Sequence, residues 1–89
     1  MKAVITVIGR DTVGIIAKVS DKCSKVNANI LDITQKVLDD MFVMIMITDI
    51  TDINIKFTEF VDIMDAVGKE MGLVVHTMHE DIFNAMHKI

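Results

Sequence analysis

The chain has 89 residues, enough for one domain with a single core, although at this size burial only modestly exceeds the entropy cost of ordering the chain. Hydrophobic residues make up 52% of the sequence, yet the longest unbroken apolar run, residues 41–47, is far shorter than the roughly 20 residues of a membrane span. The net charge of −4 and the lack of a basic cluster argue against binding to nucleic acid or to anionic membranes.

The ends and the composition of the chain predict one undivided domain. No linker, repeat or low-complexity tail interrupts residues 1–89. The first residues lack a basic segment followed by an apolar stretch and a cleavage site, so we expect a cytoplasmic protein. Cys23 is the only cysteine and lies at helical spacing from Ile16, Val19 and Val26. The sequence therefore predicts a buried, structural thiol.

A strand followed by a helix is predicted for the first third of the chain. Residues 2–8 are rich in β-branched side chains and favour an inner strand, which a loop at residues 9–11 ends. Apolar residues then recur at helical spacing across residues 12–26. Asp11 or Thr12 can cap the start of this helix, and Asn27 can close it in a left-handed conformation.

Residues 29–38 and 41–49 predict a β-hairpin around Asp39 and Asp40, although the preferred Asn-Gly or Asp-Gly pair is missing. Pairing of Leu38 with Met41 sets the register and divides the other residues between two faces. One face carries Lys36, Thr34 and Asp32 with Val43, Ile45 and Ile47, and the other carries Leu31, Ile33 and Val37 with Phe42, Met44 and Met46. Both faces of the second strand are apolar. Because the chain's helices cover one face, we expect a homodimer to cover the other.

The last third of the chain predicts a helix, a strand and a short helix. The longer of these two helices has an apolar stripe formed by Phe57, Phe60, Val61, Met64, Val67 and Met71, and Gly72 ends it. Residues 73–79 favour a strand, and residues 81–87 a short helix with Ile82, Phe83 and Met86 on its apolar side. This order predicts an α+β fold, the ferredoxin-like βαββαβ sandwich. It has a four-stranded antiparallel sheet with helices on one face and a short extra C-terminal helix.

The polar loop at residues 9–14 is suited to hold a small charged ligand. Its glycines allow a sharp turn and a close approach, and free N–H groups at the following helix start attract an anion such as the carboxylate of an amino acid. Asp11 or Asp32 can bind an ammonium group, and Asn29 offers both a donor and an acceptor. Arg10 can pair with a second acidic group on the ligand or remain solvated.

The pattern Gly9-x-Asp11-x-x-Gly14-Ile15-Ile16-Ala17-x-Val19, followed by Asn29-Ile30-x-Asp32, resembles the ACT domain along nearly the whole chain. The ending Ile82-Phe83-x-Ala85-Met86-His87-x-Ile89 is similar to that of small stand-alone prokaryotic ACT-domain proteins, relatives of the regulatory half of the glycine cleavage repressor. The sequence departs from the commoner pattern at Val13, where proline often stands, and at Asn27, where glycine is expected.

The resemblance implies ligand sensing rather than catalysis. In amino-acid-binding ACT domains the ligand lies between subunits, held by the loop after the first strand and by the start of the neighbour's second strand. By this alignment Asp11 is a ligand-binding loop residue, and Asn29 is contributed across the interface. The predicted ligand-binding set is Gly9, Arg10, Asp11, Thr12, Val13, Gly14, Ile15, Asn29, Ile30, Leu31 and Asp32. The implied partners are a small-molecule ligand, a second copy of the chain and a regulated protein.

Two other classes of function remain open at this point. Acylphosphatases share the split βαβ architecture, and Arg10 and Asn29 imitate their loop arginine and second-strand asparagine, but Asp11 would repel phosphate. An interaction module without a ligand would instead dock its apolar sheet face or C-terminal helix onto a regulator. In that case Asp11 is a helix cap, Asn29 a turn residue, and Gly9 and Gly14 serve the backbone alone. We expect no catalytic residue and no cofactor.

The histidines near the C-terminus, His76, His79 and His87, raise the alternative of a metal site with Glu80. On a strand, His76 and His79 point to opposite faces because they are three residues apart. Neither a cysteine nor a second carboxylate cluster completes a tetrahedral set. We therefore expect solvated or interface histidines.

Overall fold

A computed structural model of the chain describes residues 1–86. Its elements in order are β1 (Lys2–Arg10), α1 (Ile15–Lys25), β2 (Asn29–Leu38), β3 (Met41–Asp49), α2 (Phe57–Met71), β4 (Leu73–His79) and α3 (Glu80–Met86). The strands form one antiparallel sheet in the order β2-β3-β1-β4. The predicted ferredoxin-like sandwich is thereby confirmed, including its short C-terminal helix.

The core lies between one face of the sheet and the two longer helices. Alternate β1 residues Ala3, Ile5 and Val7 are fully buried there, as the period of two in a strand requires. Spacings of three and four residues bring the apolar stripes of α1 and α2 onto this face; their buried members are Ile15, Val19 and Cys23 of α1 and Phe60, Met64 and Val67 of α2. Burial raises the pKa of the Cys23 thiol to about 11, so the thiol stays protonated at neutral pH.

The start of α1 differs from the prediction. Gly14 has a left-handed backbone with φ 90°, which a helix cannot include, so α1 begins at Ile15 instead of residue 12. Asp11 and Thr12 therefore do not cap it. Ile15 takes the buried position expected of Ile16. The end of α1 is as expected, because Asn27 is left-handed with φ 64°.

The hairpin of β2 and β3 has the predicted register, with Leu38 opposite Met41 and Thr34 opposite Ile45. Asp39 makes the turn in a left-handed conformation with φ 58°. A β-bulge between Ile30 and Asp32 leaves Leu31 without a partner in the ladder, which alternation along a regular strand did not predict.

We call the sheet face that points away from α1 and α2 the outer face; it carries Val4, Thr6, Ile8, Val43, Ile45 and Ile47. The short helix α3 packs on it and contacts β1 and β4. Val4 is only 1% exposed, whereas Ile45 is still 36% exposed. The chain therefore covers part of the face that the sequence assigned entirely to a second subunit. Within residues 1–86, no helix combines the length and apolarity that crossing a membrane requires.

Candidate functional site

The loop at residues 11–14 connects β1 to α1 beside the tip of the β2–β3 hairpin. The backbone N–H of Asp11 donates to the Asp40 carbonyl oxygen at 2.7 Å, which ties the loop to the hairpin turn. The Arg10 guanidinium lies 3.7 Å from the Asp40 carboxylate. Because both of these side chains are exposed, this ion pair adds little stability. The backbone bond is the firmer anchor of the loop.

A cavity of about 220 Å³ opens between this loop, the first turn of α1 and the edge of the sheet. Its lining residues are Asp11, Thr12, Gly14, Ile15, Ile16, Ala17, Gln35 and Phe42. No side chain of the described residues caps α1, whose first N–H groups are thus available beside the cavity. Their partial positive charge favours a small anion, and the Asp11 carboxylate nearby favours a cation. One end of this cavity thus offers complementary charges to a zwitterion.

Four of the predicted loop residues line the cavity, namely Asp11, Thr12, Gly14 and Ile15. Val13 does not line it and is 97% exposed. Gly9 and Arg10 lie in β1 instead of the loop, which corrects the predicted end of that strand. A Cβ on Gly9 would come within 2.6 Å of the Leu73 side chain, so Gly9 serves the close packing of β1 on β4.

The second half of the predicted site lies at the other end of the sheet. Gly9 pairs with Phe42 near the hairpin turn, whereas Asn29 pairs with Asp49, which in turn pairs with Lys2. Within one chain the loop at residues 11–14 therefore does not meet Asn29. Leu31 and Asp32 line neither of the cavities at Asn29.

Two shallow cavities flank Asn29. One, of about 370 Å³, is lined by Ser20, Ser24, Asn27, Ala28, Asn29 and Ile30, and the other, of about 340 Å³, by Asn27, Asn29, Asp49 and Asp52. The Thr51 hydroxyl donates to the Asp49 carboxylate at 2.6 Å and holds the pKa of Asp49 below its usual range. Asp49 therefore stays negatively charged at neutral pH and can attract an ammonium group.

Sequence reasoning missed several lining residues. Gln35 lies opposite Met44 on the face that packs against the helices, so a polar side chain in an apolar register position was the signal for it. Phe42 was assigned to the core, where it is indeed buried, and it also lines the cavity. Asp49 and Asp52 are brought beside Asn29 by strand pairing and by the following turn, which local patterns do not reveal.

The histidines have separate environments, as their spacing predicted. His76 is exposed on the outer face opposite Thr6. His79 lies on the other face, where its ring stacks on Phe57 with centroids 4.0 Å apart and planes 20° apart. Among residues 1–86, no three histidine, cysteine or acidic side chains are placed to hold a metal ion. His87 lies outside the described residues.

Comparison with known proteins decides the family. The family model of the ACT domain matches residues 2–77, which include β1 to β3, most of β4 and both halves of the candidate site. The chain belongs to the ACT domain family. A structure described as an ACT domain protein from Streptococcus pneumoniae is 38% identical, covers 98% of each chain and superposes with a TM-score of 0.80. A UPF0237 protein from Listeria innocua is 45% identical over the full length of both chains.

More distant ACT structures share the fold. A structure identified as a glycine cleavage system transcriptional repressor is 20% identical and has a TM-score of 0.69, with coverage of 85% of this chain and 43% of that one. A UPF0237 protein from Methanocaldococcus jannaschii, by contrast, is 42% identical over 88 residues, which cover 99% of this chain and 98% of that one. ACT domains are generally regulatory, ligand-binding domains, and many are parts of larger proteins. This chain matches its small relatives from end to end.

Proposed function

We propose that this ACT domain senses an amino acid or a similar zwitterionic metabolite at the interface of a homodimer, in the cytoplasm, and transmits binding to a regulated protein. The observation that carries the proposal is the uncapped start of α1, which lies in a cavity with Asp11, Thr12 and Gln35. The ligand carboxylate accepts hydrogen bonds from the free N–H groups there. Its ammonium group binds a carboxylate, and Asn29 of the second subunit completes the site.

The edge of the sheet supports a dimer with this geometry. Among residues 1–86, strand β2 has β3 on one side only, and it carries the half-exposed apolar side chains of Leu31, Val37 and Leu38. Such an edge strand favours pairing with another chain. If two β2 strands pair antiparallel about a two-fold axis, the Asn29 end of each meets the Leu38 end of the other. The hairpin turn and the loop that Asp40 anchors lie at that end.

A ligand that bridges the two subunits can act as a signal because it binds one subunit arrangement better than others. Its differential affinity alone sets how far the population shifts. Asp49 and Asp52 beside Asn29 add negative charge at the second half of the site. We therefore expect a ligand with a free ammonium group, and we expect the regulated protein to recognise the ligand-bound dimer.

The acylphosphatase alternative is not favoured by the geometry. Its chemistry needs the loop arginine and the strand asparagine around one phosphate group. Arg10 lies at the hairpin end of the sheet, next to Asp40, while Asn29 lies at the opposite end. A carboxylate beside the arginine also disfavours an incoming phosphate.

Thermal unfolding in the presence of each of the twenty amino acids tests the proposal. A ligand at 100 times its dissociation constant stabilises the folded state by about 2.7 kcal/mol, which raises the Tm by about 10 °C or more in a domain of this size. We expect one amino acid or a few related ones to give such a shift. If none of the twenty shifts the Tm, the ligand-free interaction module replaces this proposal.

Substitution at the site separates specific binding from general stabilisation. The Asp11→Ala variant should lose the shift but keep its fold, because the loop is anchored by the Asp11 backbone N–H. Asp65→Ala is the matched control, since Asp65 is an exposed acidic residue of α2 that lines none of the cavities described above. The control should keep the full shift. An Asp11→Ala variant that also keeps the full shift would place the ligand elsewhere.

A further inference from the structure

A second cavity lies on the outer face, with the sheet between it and the loop site. It has a volume of about 350 Å³ and is lined by Thr6, Ile8, Val43, Met44, Ile45, His76, Met78, Phe83 and Met86. The sheet forms its floor, and Phe83 and Met86 of α3 form its overhanging wall. Its volume is within the usual range for small-molecule sites, and its lining is mainly apolar with a few polar groups.

The apolar side chains around this cavity remain partly in water. Ile8 is 46% exposed, Ile45 is 36% exposed and Met86 is 65% exposed. Burying such a contiguous apolar surface is favourable, so the surface marks a place where something binds. The overhang of α3 makes it concave. This concave shape and its volume suit a small molecule better than the flat sheet face of a second copy.

The polar groups of the cavity define the head group of that molecule. Thr6 and His76 lie opposite each other on neighbouring strands, and both can donate a hydrogen bond. Neither side chain has a hydrogen-bond partner among residues 1–86. The chain has 13 acidic residues, yet none of those in the described part lines this cavity. The two donors therefore favour a ligand with an acceptor or an anion at one end.

We propose that the cavity between α3 and the outer face binds a small monocarboxylic acid with an apolar tail, of the size of a medium-chain fatty acid. The tail packs among Ile8, Ile45 and Met86, and the carboxylate accepts from Thr6 and His76. This site is separate from the zwitterion site at α1. Binding here holds α3 against the sheet and gives the domain a second ligand-binding site on its other face.

Octanoate tests the proposal, with the methionine methyl groups as NMR reporters. Met78 and Met86 line the cavity, whereas Met64 is fully buried on the opposite side of the sheet. Titration should shift the Met78 and Met86 signals to saturation and leave Met64 unchanged. Octanol, which has the same tail without the carboxylate, should bind about tenfold more weakly. Equal shifts at Met64, or equal binding of octanol and octanoate, would overturn the proposal.

A glutamate introduced inside the cavity is compared with a glutamate introduced outside it on the same face. Ile45→Glu places a carboxylate in the cavity and should weaken octanoate binding at least about tenfold. Val74→Glu adds the same charge on the same face at a 58% exposed side chain outside the cavity, and should leave affinity within about twofold. Met86→Glu, at the exposed end of α3, replaces Ile45→Glu if that variant does not fold. Unchanged affinity in the cavity variant would refute the site, as would Met78 shifts that follow protein concentration without octanoate.

Discussion

Gly9 is a residue at which the addition of a single methyl group should lower the stability of the fold. A Cβ there would lie 2.6 Å from the Leu73 side chain, 3.1 Å from the Leu73 Cα and 3.2 Å from the Gly72 carbonyl oxygen. The backbone contacts cannot yield as a side chain can, so Gly9→Ala should destabilise the domain by about 1–3 kcal/mol. Urea unfolding measures this. Arg10→Ala, an exposed neighbour, is the control and should change stability by less than about 0.5 kcal/mol.

The Cys23 thiol should be inert in the folded protein. Burial raises its pKa to about 11, above its usual 9.0, so almost no thiolate exists at pH 8. We expect a thiol reagent to label Cys23 at pH 8 only as fast as the protein unfolds, and rapidly in denaturant. Because the folded pKa is raised, the stability that the neutral thiol contributes is complete below pH 9 and is lost as the pH rises towards 11. Rapid labelling of the folded protein would contradict this burial.

At the scale of elements, the β2–β3 turn can be tested through its left-handed residue. Asp39 has φ 58°, a conformation that costs an L-residue other than glycine about 1 kcal/mol. Asp39→Gly should therefore stabilise the domain by about 0.5–1 kcal/mol. Asp40→Gly is the control: Asp40 is not left-handed, and its replacement removes the ion pair with Arg10, so no gain is expected. A loss of stability in Asp39→Gly would show that its side chain matters more than its backbone.

The same elements show which parts of this fold are encoded locally. Most of the stripe of α2 and the pairing of Leu38 with Met41 were predicted correctly because periodicity and turn length specify them within a few residues. Within that stripe, Ile63 packs against the core in place of the predicted Val61. The start of α1 was predicted three residues early, since composition does not reveal that Gly14 is left-handed.

Other features depend on how distant parts of the chain pair and pack in the folded molecule. Leu31 was assigned to a face, but it is the extra residue of a bulge. The site was predictable only in part for the same reason: the loop residues stand together in the sequence, whereas Gln35 reaches the cavity through strand pairing. The position of α3 on the outer face likewise follows from packing, because a seven-residue helix carries too little apolar pattern to specify its partner.

At the scale of the whole molecule, the proposed dimer depends on the edge strand β2. Val37 is 48% exposed on that strand, and a charge there opposes pairing with a second β2. We expect Val37→Lys to turn a dimer into a monomer in sedimentation experiments. Val74→Lys, on the other edge strand β4 and similarly exposed, is the control and should remain dimeric. Dissociation by Val74→Lys alone would place the interface at β4.

A site shared between subunits leads to a more specific prediction, since each ligand needs the loop of one subunit and Asn29 of the other. Neither Asp11→Ala nor Asn29→Ala should bind the amino acid that most stabilises the unmodified protein. In a mixed dimer of the two variants, however, one site contains both substitutions and the other contains neither. Half of the dimers in an equal, re-equilibrated mixture are mixed, so about one quarter of the normal binding sites should return.

Calorimetric titration of this mixture is the most direct measurement of the central claim, with each variant alone as its control. Recovery of about one quarter of the sites, with the affinity of the unmodified protein, is the result that a site shared between subunits predicts. A mixture that binds no more ligand than its two components separately would contradict the claim, because Asp11 and Asn29 would then not belong to one site.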